Sequence, residues 1–128
     1  MLKIKRAYEK PTPDDGRRIL VDRLWPRGIT KAEAGIDEWL KDLGPSTGLR
    51  QWFGHEPARW VEFRQRYLQE LAASAQKAML EKIAQQAGRG PVTLVYSAKD
   101  TEHNNAVVLA ELIAKILKKA PAPAGRKS

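Results

Sequence analysis

The chain contains no cysteine and only two histidines, His55 and His103. The first absence excludes disulfides, thiolate metal sites and a cysteine nucleophile, and it suits a reducing cytoplasm. The second leaves no histidine-rich metal centre. Only carboxylates remain to hold a hard cation, and no metal site is expected. Long apolar runs are also missing. Met1–Arg6 mixes apolar and basic residues with no hydrophobic stretch behind it. That predicts no signal peptide, no transmembrane span and no membrane partner. The patterns of a P-loop, a dinucleotide-binding glycine loop, a zinc-protease helix and a serine-hydrolase elbow are absent too. No cofactor can be named from what is left.

What is present is a basic chain of 128 residues with a net charge of +8. That length suits one domain with a single core. We expect the domain over residues 1–119 and a disordered, proline- and alanine-rich tail over 120–128. Positive charge of this size favours anionic partners, among them nucleic acid and phosphorylated small molecules. Part of it lies near the ends, in Lys3, Lys5, Arg6, Lys115, Lys118, Lys119, Arg126 and Lys127, where it also serves solubility.

Periodicity predicts an α/β fold, with a small, mainly parallel sheet of about three strands packed by helices. Leu2–Tyr8 alternates apolar and basic residues and reads as a strand near an edge, where lysine is tolerated. Glu9–Gly16 is a loop rich in proline and aspartate. It is short for a helical crossover, which leaves an antiparallel pairing of strands one and two open. Arg17–Asp22 is the second strand. Thr30 suits a cap. Ile36–Leu43 reads as a helix stopped by Gly44 and Pro45. Ser46 caps a short segment, Gly48–Phe53. A helix opens near Glu56 and Pro57 with Trp60, Phe63, Tyr67 and Leu71 on one face, and it either continues or bends near Ser74. Val92–Tyr96 is β-branched and bounded by Pro91, the mark of a central strand. A last helix spans about His103–Lys118, capped by Thr101 or Asp100.

The long helical crossover between strands two and three makes them parallel, so their C-terminal ends open on one edge. In open α/β sheets ligands bind at that edge. Asp22 and Arg23 should therefore neighbour Ser97, Lys99 and Asp100. We expect a crevice there for an anion. Arg23, Arg27, Arg50 and Lys99 would hold it, Ser97 would add a hydroxyl, and the start of the last helix would add free backbone N–H groups. Asp22 and Asp100 are the candidate catalytic carboxylates, as base or metal ligand. Each also has a plain structural reading: Asp22 balancing an arginine, Asp100 capping a helix. His103, in the first turn of the last helix, could face the crevice. His55 sits in a glycine-bounded break and reads as a cap. Trp25, beside Arg23 and Arg27, could offer a ring for base stacking.

These residues fall in motifs that resemble the YeaO-like family, a domain of unknown function. The resemblance rests on Val21-Asp22-Arg23-Leu24-Trp25-Pro26-Arg27-Gly28 and on Trp39 with Pro45, Ser46, Leu49 and Arg50. It continues through Trp52-Phe53-Gly54-His55, then Phe63 with Tyr67, Glu70 and Leu71. It ends with Leu94-Val95-Tyr96-Ser97-Ala98-Lys99-Asp100 followed by Asn104, Ala106 and Leu109. Gly44 departs from the alanine that the family often places before Pro-Ser. The resemblance implies a compact α/β domain in a bacterial cytoplasm, and it implies no activity. It adds Asn104 to the polar residues expected at the crevice. The sequence thus supports a binder, or a hydrolase- or transferase-like enzyme, for an anionic small molecule such as a nucleotide. The alternatives are a nucleic-acid-binding module and a protein-interaction module.

Overall fold

A computed structural model describes residues 1–119; the expected tail, 120–128, lies outside the described residues. In chain order the elements are β1 (Leu2–Arg6), β2 (Arg17–Leu20), α1 (Lys31–Ala34), β3 (Glu38–Trp39), α2 (Thr47–Phe53), α3 (Trp60–Leu71), α4 (Ser74–Arg89), β4 (Val92–Tyr96) and α5 (Asn105–Lys119). Single 3-10 turns occupy Pro13–Asp15, Lys41–Leu43 and Pro57–Arg59.

The four strands form one all-parallel sheet in the order β1-β4-β2-β3. Every residue of β4 is buried, as its β-branched sequence requires of a central strand. The strand alternation divides the core. Val92, Leu94 and Tyr96 of β4 join Ile19 of β2 and Val21 just beyond it in the larger cluster, which α2, α3, α4 and α5 complete. Leu20 and Val95 point the other way, into a smaller cluster with Ala34, Ile36 and the flanking Trp25, Ile29 and Trp39.

That smaller face also buries an ion cluster. Asp15 is 0% exposed and Arg18 is 2% exposed. Arg18 Nη1 donates to Asp15 Oδ2 at 2.7 Å, and Arg18 Nε donates to the Ala34 carbonyl at 2.9 Å. Lys3 and Lys5 each bring Nζ to 2.9 Å from the same carboxylate. The lysines of an edge strand are thus matched with acid from the following loop.

Four expectations need correction or completion. β1 is an edge strand, but it runs parallel to β4, with Leu2 opposite Val92, and the open antiparallel pairing with β2 does not occur. Ile36–Leu43 is not a helix. Its residues Ile36, Trp39, Leu40 and Leu43 mimic helical spacing, yet the segment is too short to hold a helix by itself. The open edge of β2 captures it instead: Asp37 N donates to the Arg18 carbonyl and Leu40 N to the Leu20 carbonyl, both at 2.9 Å. The long helical stretch breaks at Ala72 and Ala73, dividing α3 from α4. Finally, the cap of α5 is Asn104, whose Oδ1 accepts from Val107 N at 3.0 Å, and not Thr101 or Asp100. Thr30 and Ser46 do cap α1 and α2. Among the described residues no helix is long and apolar enough to cross a membrane.

Candidate functional site

β2 and β4 end on the same edge of the sheet, and a crevice of about 670 Å³ opens there. All nine residues singled out from the sequence line it: Asp22, Arg23, Arg27, Arg50, Ser97, Lys99, Asp100, His103 and Asn104. They have different duties.

Asp22 joins the two strand ends. Its Oδ2 accepts from Ser97 N at 2.9 Å and from Ser97 Oγ at 2.7 Å. Its carbonyl accepts from Trp39 Nε1 at 2.7 Å. Burial pushes the Asp22 carboxyl above the ordinary aspartate range; the bonds from Ser97, the nearby Asn105 amide and the charge of His55 restrain the rise.

Arg23 is committed to the neighbouring loop at Gly44 and Pro45, and Asp100 to its own loop. Arg23 donates Nε to the Pro45 carbonyl and Nη2 to the Gly44 carbonyl, both at 2.9 Å. Asp100 accepts from Glu102 N at 2.9 Å and His103 N at 3.0 Å through Oδ1, and it meets His103 Nδ1 at 2.9 Å through Oδ2. Hydrogen bonds from the Glu102 amide and the His103 ring and amide hold its carboxyl below the usual range. His103 also stands edge-on to Trp60, with ring centres 5.2 Å apart.

This arrangement changes one expectation. Backbone N–H groups around the start of α5 were to greet an anion. Those of Ser97, Glu102, His103 and Val107 are already taken by Asp22, Asp100 and Asn104. These four amides are therefore not free, and the unengaged positive charge of the crevice lies in side chains.

Those side chains are Arg27, Arg50 and Lys99. The ion pairs of the described residues engage Lys3, Lys5, Arg17, Arg18, Arg23, Arg64, Arg66 and His103, and leave these three cations out. Nε of Arg50 is moreover buried with no hydrogen-bond partner among the described residues. Among those residues no three of histidine, aspartate and glutamate gather as a metal cage.

Other residues in or beside the crevice either escaped the sequence or play a different part from the one expected. Tyr8 arrives from beyond β1 and donates its hydroxyl to the Arg27 carbonyl at 2.9 Å. Arg6 props the loop after β4, donating Nε to the Ala98 carbonyl at 2.8 Å and Nη2 to the Ser97 carbonyl at 3.1 Å. Asn105 ties α5 to the end of β2 by donating to the Val21 carbonyl at 3.0 Å. His55 lines the crevice at a left-handed φ of 59°, uncommon for a residue other than glycine, and it caps no helix. The glycine and proline around it signalled a break but not this orientation. Trp25 is pinned, its Nε1 donating to the Ile29 carbonyl at 2.7 Å and its ring edge-on to Trp39. It lines the crevice as a wall, not as a free stacking platform.

A family model described as the inactive DUF488-N3 subclade matches residues 1–128. The uncharacterised protein YeaO of Escherichia coli (strain K12) is 47% identical over 110 residues, covering 86% of this chain and 94% of that protein. The uncharacterised protein Rv3073c of Mycobacterium tuberculosis (strain H37Rv) is 44% identical over 112 residues, covering 88% of this chain and 92% of its own length. No solved structure matches. The match along the whole chain and the close relatives together place this α/β domain in the YeaO-like family of unknown function, within the inactive DUF488-N3 subclade.

Proposed function

We propose that the crevice binds a small anionic molecule, phosphorylated compounds foremost, and that the domain works by binding and not by turnover. One observation carries this reading: Arg50. Its guanidinium lines the crevice outside every ion pair of the described residues, with Nε buried and unbonded. Leaving a buried donor unmade costs on the order of 1–3 kcal/mol. An arginine fork matched to a phosphate or carboxylate would recover that cost. Arg27 and Lys99 line the same space and add charge of the same sign.

The description of the family as inactive favours binding over the hydrolase- or transferase-like alternative. So does Asp100, whose two oxygens are occupied in shaping its own loop. We assign it no proton-transfer role.

The test is a thermal-shift and calorimetric screen of the full chain against inorganic phosphate, pyrophosphate, nucleotides and sugar phosphates. We expect stabilisation by at least one of them, abolished by Arg50→Ala and weakened by Lys99→Ala. No shift with any anion would overturn the reading. The net charge of +8 also suits a nucleic-acid partner. Such binding would fall steeply and linearly with log salt and would survive Arg50→Ala with only modest weakening.

A further inference from the structure

One half-buried polar group lining the crevice is a carboxylate, Asp22, which is at first sight wrong for an anion site. Its hydrogen bonding resolves the conflict. Both bonds that Asp22 accepts from Ser97 land on Oδ2. Asn105 gives one amide hydrogen to the Val21 carbonyl, and its side chain also hydrogen-bonds the Asp22 carboxyl, so three acceptor positions of that carboxyl are engaged. An ionised carboxylate accepts about four hydrogen bonds and donates none. Asp22 therefore keeps one acceptor position for a donor from the ligand.

The surroundings decide which donor. The lining holds Arg23, Arg27, Arg50 and Lys99 against two carboxylates, Asp22 and Asp100. A net cationic wall disfavours an ammonium group and leaves a neutral hydroxyl as the matching donor. Three cations outside ion pairs also exceed what a single carboxylate neutralises and suit a phosphate dianion. Two of the exposed large apolar side chains, Leu24 at 58% and Tyr8 at 44%, line the same crevice. They offer a surface for a carbon skeleton.

We infer that the ligand is a phosphorylated sugar, free or as part of a nucleotide, with its phosphate on Arg50, Lys99 and Arg27 and a sugar hydroxyl donating to Oδ1 of Asp22. This rests on the anion-binding reading above and deepens it. Asp22 acts here as a specificity determinant that distinguishes a hydroxylated phosphate from a bare one. No bond is made or broken.

The experiment titrates the full chain with four probes: inorganic phosphate, pentyl phosphate, ribose 5-phosphate and adenosine monophosphate. Pentyl phosphate carries the phosphate and the five carbons without a hydroxyl. On the unmutated protein, ribose 5-phosphate should bind about tenfold more tightly than pentyl phosphate, the worth of one hydrogen bond to a charged group. Asp22→Asn should erase that preference. The same change should leave inorganic phosphate bound equally or more tightly, because a like charge has gone. The variant's melting temperature without ligand reports whether it folds, and the comparison on the unmutated chain stands even if it does not. Equal binding of ribose 5-phosphate and pentyl phosphate would overturn the inference, as would equal weakening of all probes by Asp22→Asn; the anion reading would survive both. Binding of none of the four would remove both readings together. Tighter binding of adenosine monophosphate than of ribose 5-phosphate would support a nucleotide source, and the reverse order a free sugar phosphate.

Discussion

Ser97 and Asp22 lie 75 positions apart in the chain, yet the Ser97 amide and hydroxyl both donate to one carboxylate oxygen of Asp22, at 2.9 and 2.7 Å. This junction fixes the end of β4 against the end of β2 and sets the floor of the crevice.

Removing the hydroxyl should expose how the junction works. Burial raises the Asp22 carboxyl above its unfolded value, so the folded state holds its proton more tightly. The stabilisation from that proton is fully present below the ordinary aspartate range, near pH 3.9, and is lost as pH rises through the raised folded value. Ser97→Ala deletes a bond to the charged form and should raise that value further. We expect the variant to lose about 1–2 kcal/mol at pH 8 and less at pH 4. Denaturant titrations at the two pH values measure the difference, and a carboxyl carbon NMR titration follows Asp22 directly. An Asp22 that titrates in the ordinary range would refute the account.

Asp15 presents the opposite sign. Burial would raise its carboxyl, but hydrogen bonds from Lys3, Lys5 and Thr12 outweigh burial and hold it far below the usual range. Its contribution is therefore present above the unfolded value and lost as pH falls towards the folded one. Asp15→Asn leaves Arg18 buried without its counter-charge, a change that costs about 3–5 kcal/mol. Urea unfolding at pH 7 should show that loss. The gap from the unmutated protein should narrow on acidification.

Arg50 should behave unlike Arg18, although both are arginines in partly or wholly buried places. Arg50→Met removes a donor that has no partner, so the ligand-free protein should hold its stability to within about 1 kcal/mol or gain slightly. Phosphate binding should vanish in the same variant. A large loss of stability would mean that Arg50 is structural.

Gly44 is a steric prediction. A Cβ there would stand 2.7 Å from the Arg23 backbone nitrogen and 3.2 Å from the Val21 carbonyl oxygen. Gly44→Ala should therefore force the two segments apart and cost about 1–3 kcal/mol, read from denaturant midpoints. An unchanged midpoint would show that the loop yields freely.

Much of this architecture was legible because β4 announces itself. A run of five strand-forming residues after Pro91 has few alternatives, and a long helical crossover forces its partner to be parallel. From those two facts the C-terminal edge follows, and with it the placing of Asp22, Arg23, Ser97, Lys99 and Asp100 around one space. Ile36–Leu43 was illegible for the reverse reason. Its apolar spacing fits a helix, and only the unpaired edge of β2, a long-range feature, turns it into a strand. The contribution of Tyr8 depended on β1 lying beside β4, which no local pattern encodes. The capping of α5 by Asn104 was obscured because Asp100 offers the same chemistry four residues earlier and uses it on a separate turn.

The self-capped loop between β4 and α5 has a kinetic corollary. With the Ser97, Glu102, His103 and Val107 amides already bonded, the proposed binding should be governed by encounter and charge steering, without a slow closing step. Under that proposal, discrimination resides in a handful of exchangeable side-chain tips. Within such a scaffold, exchanging those tips should change the proposed ligand while the backbone beneath stays as it is.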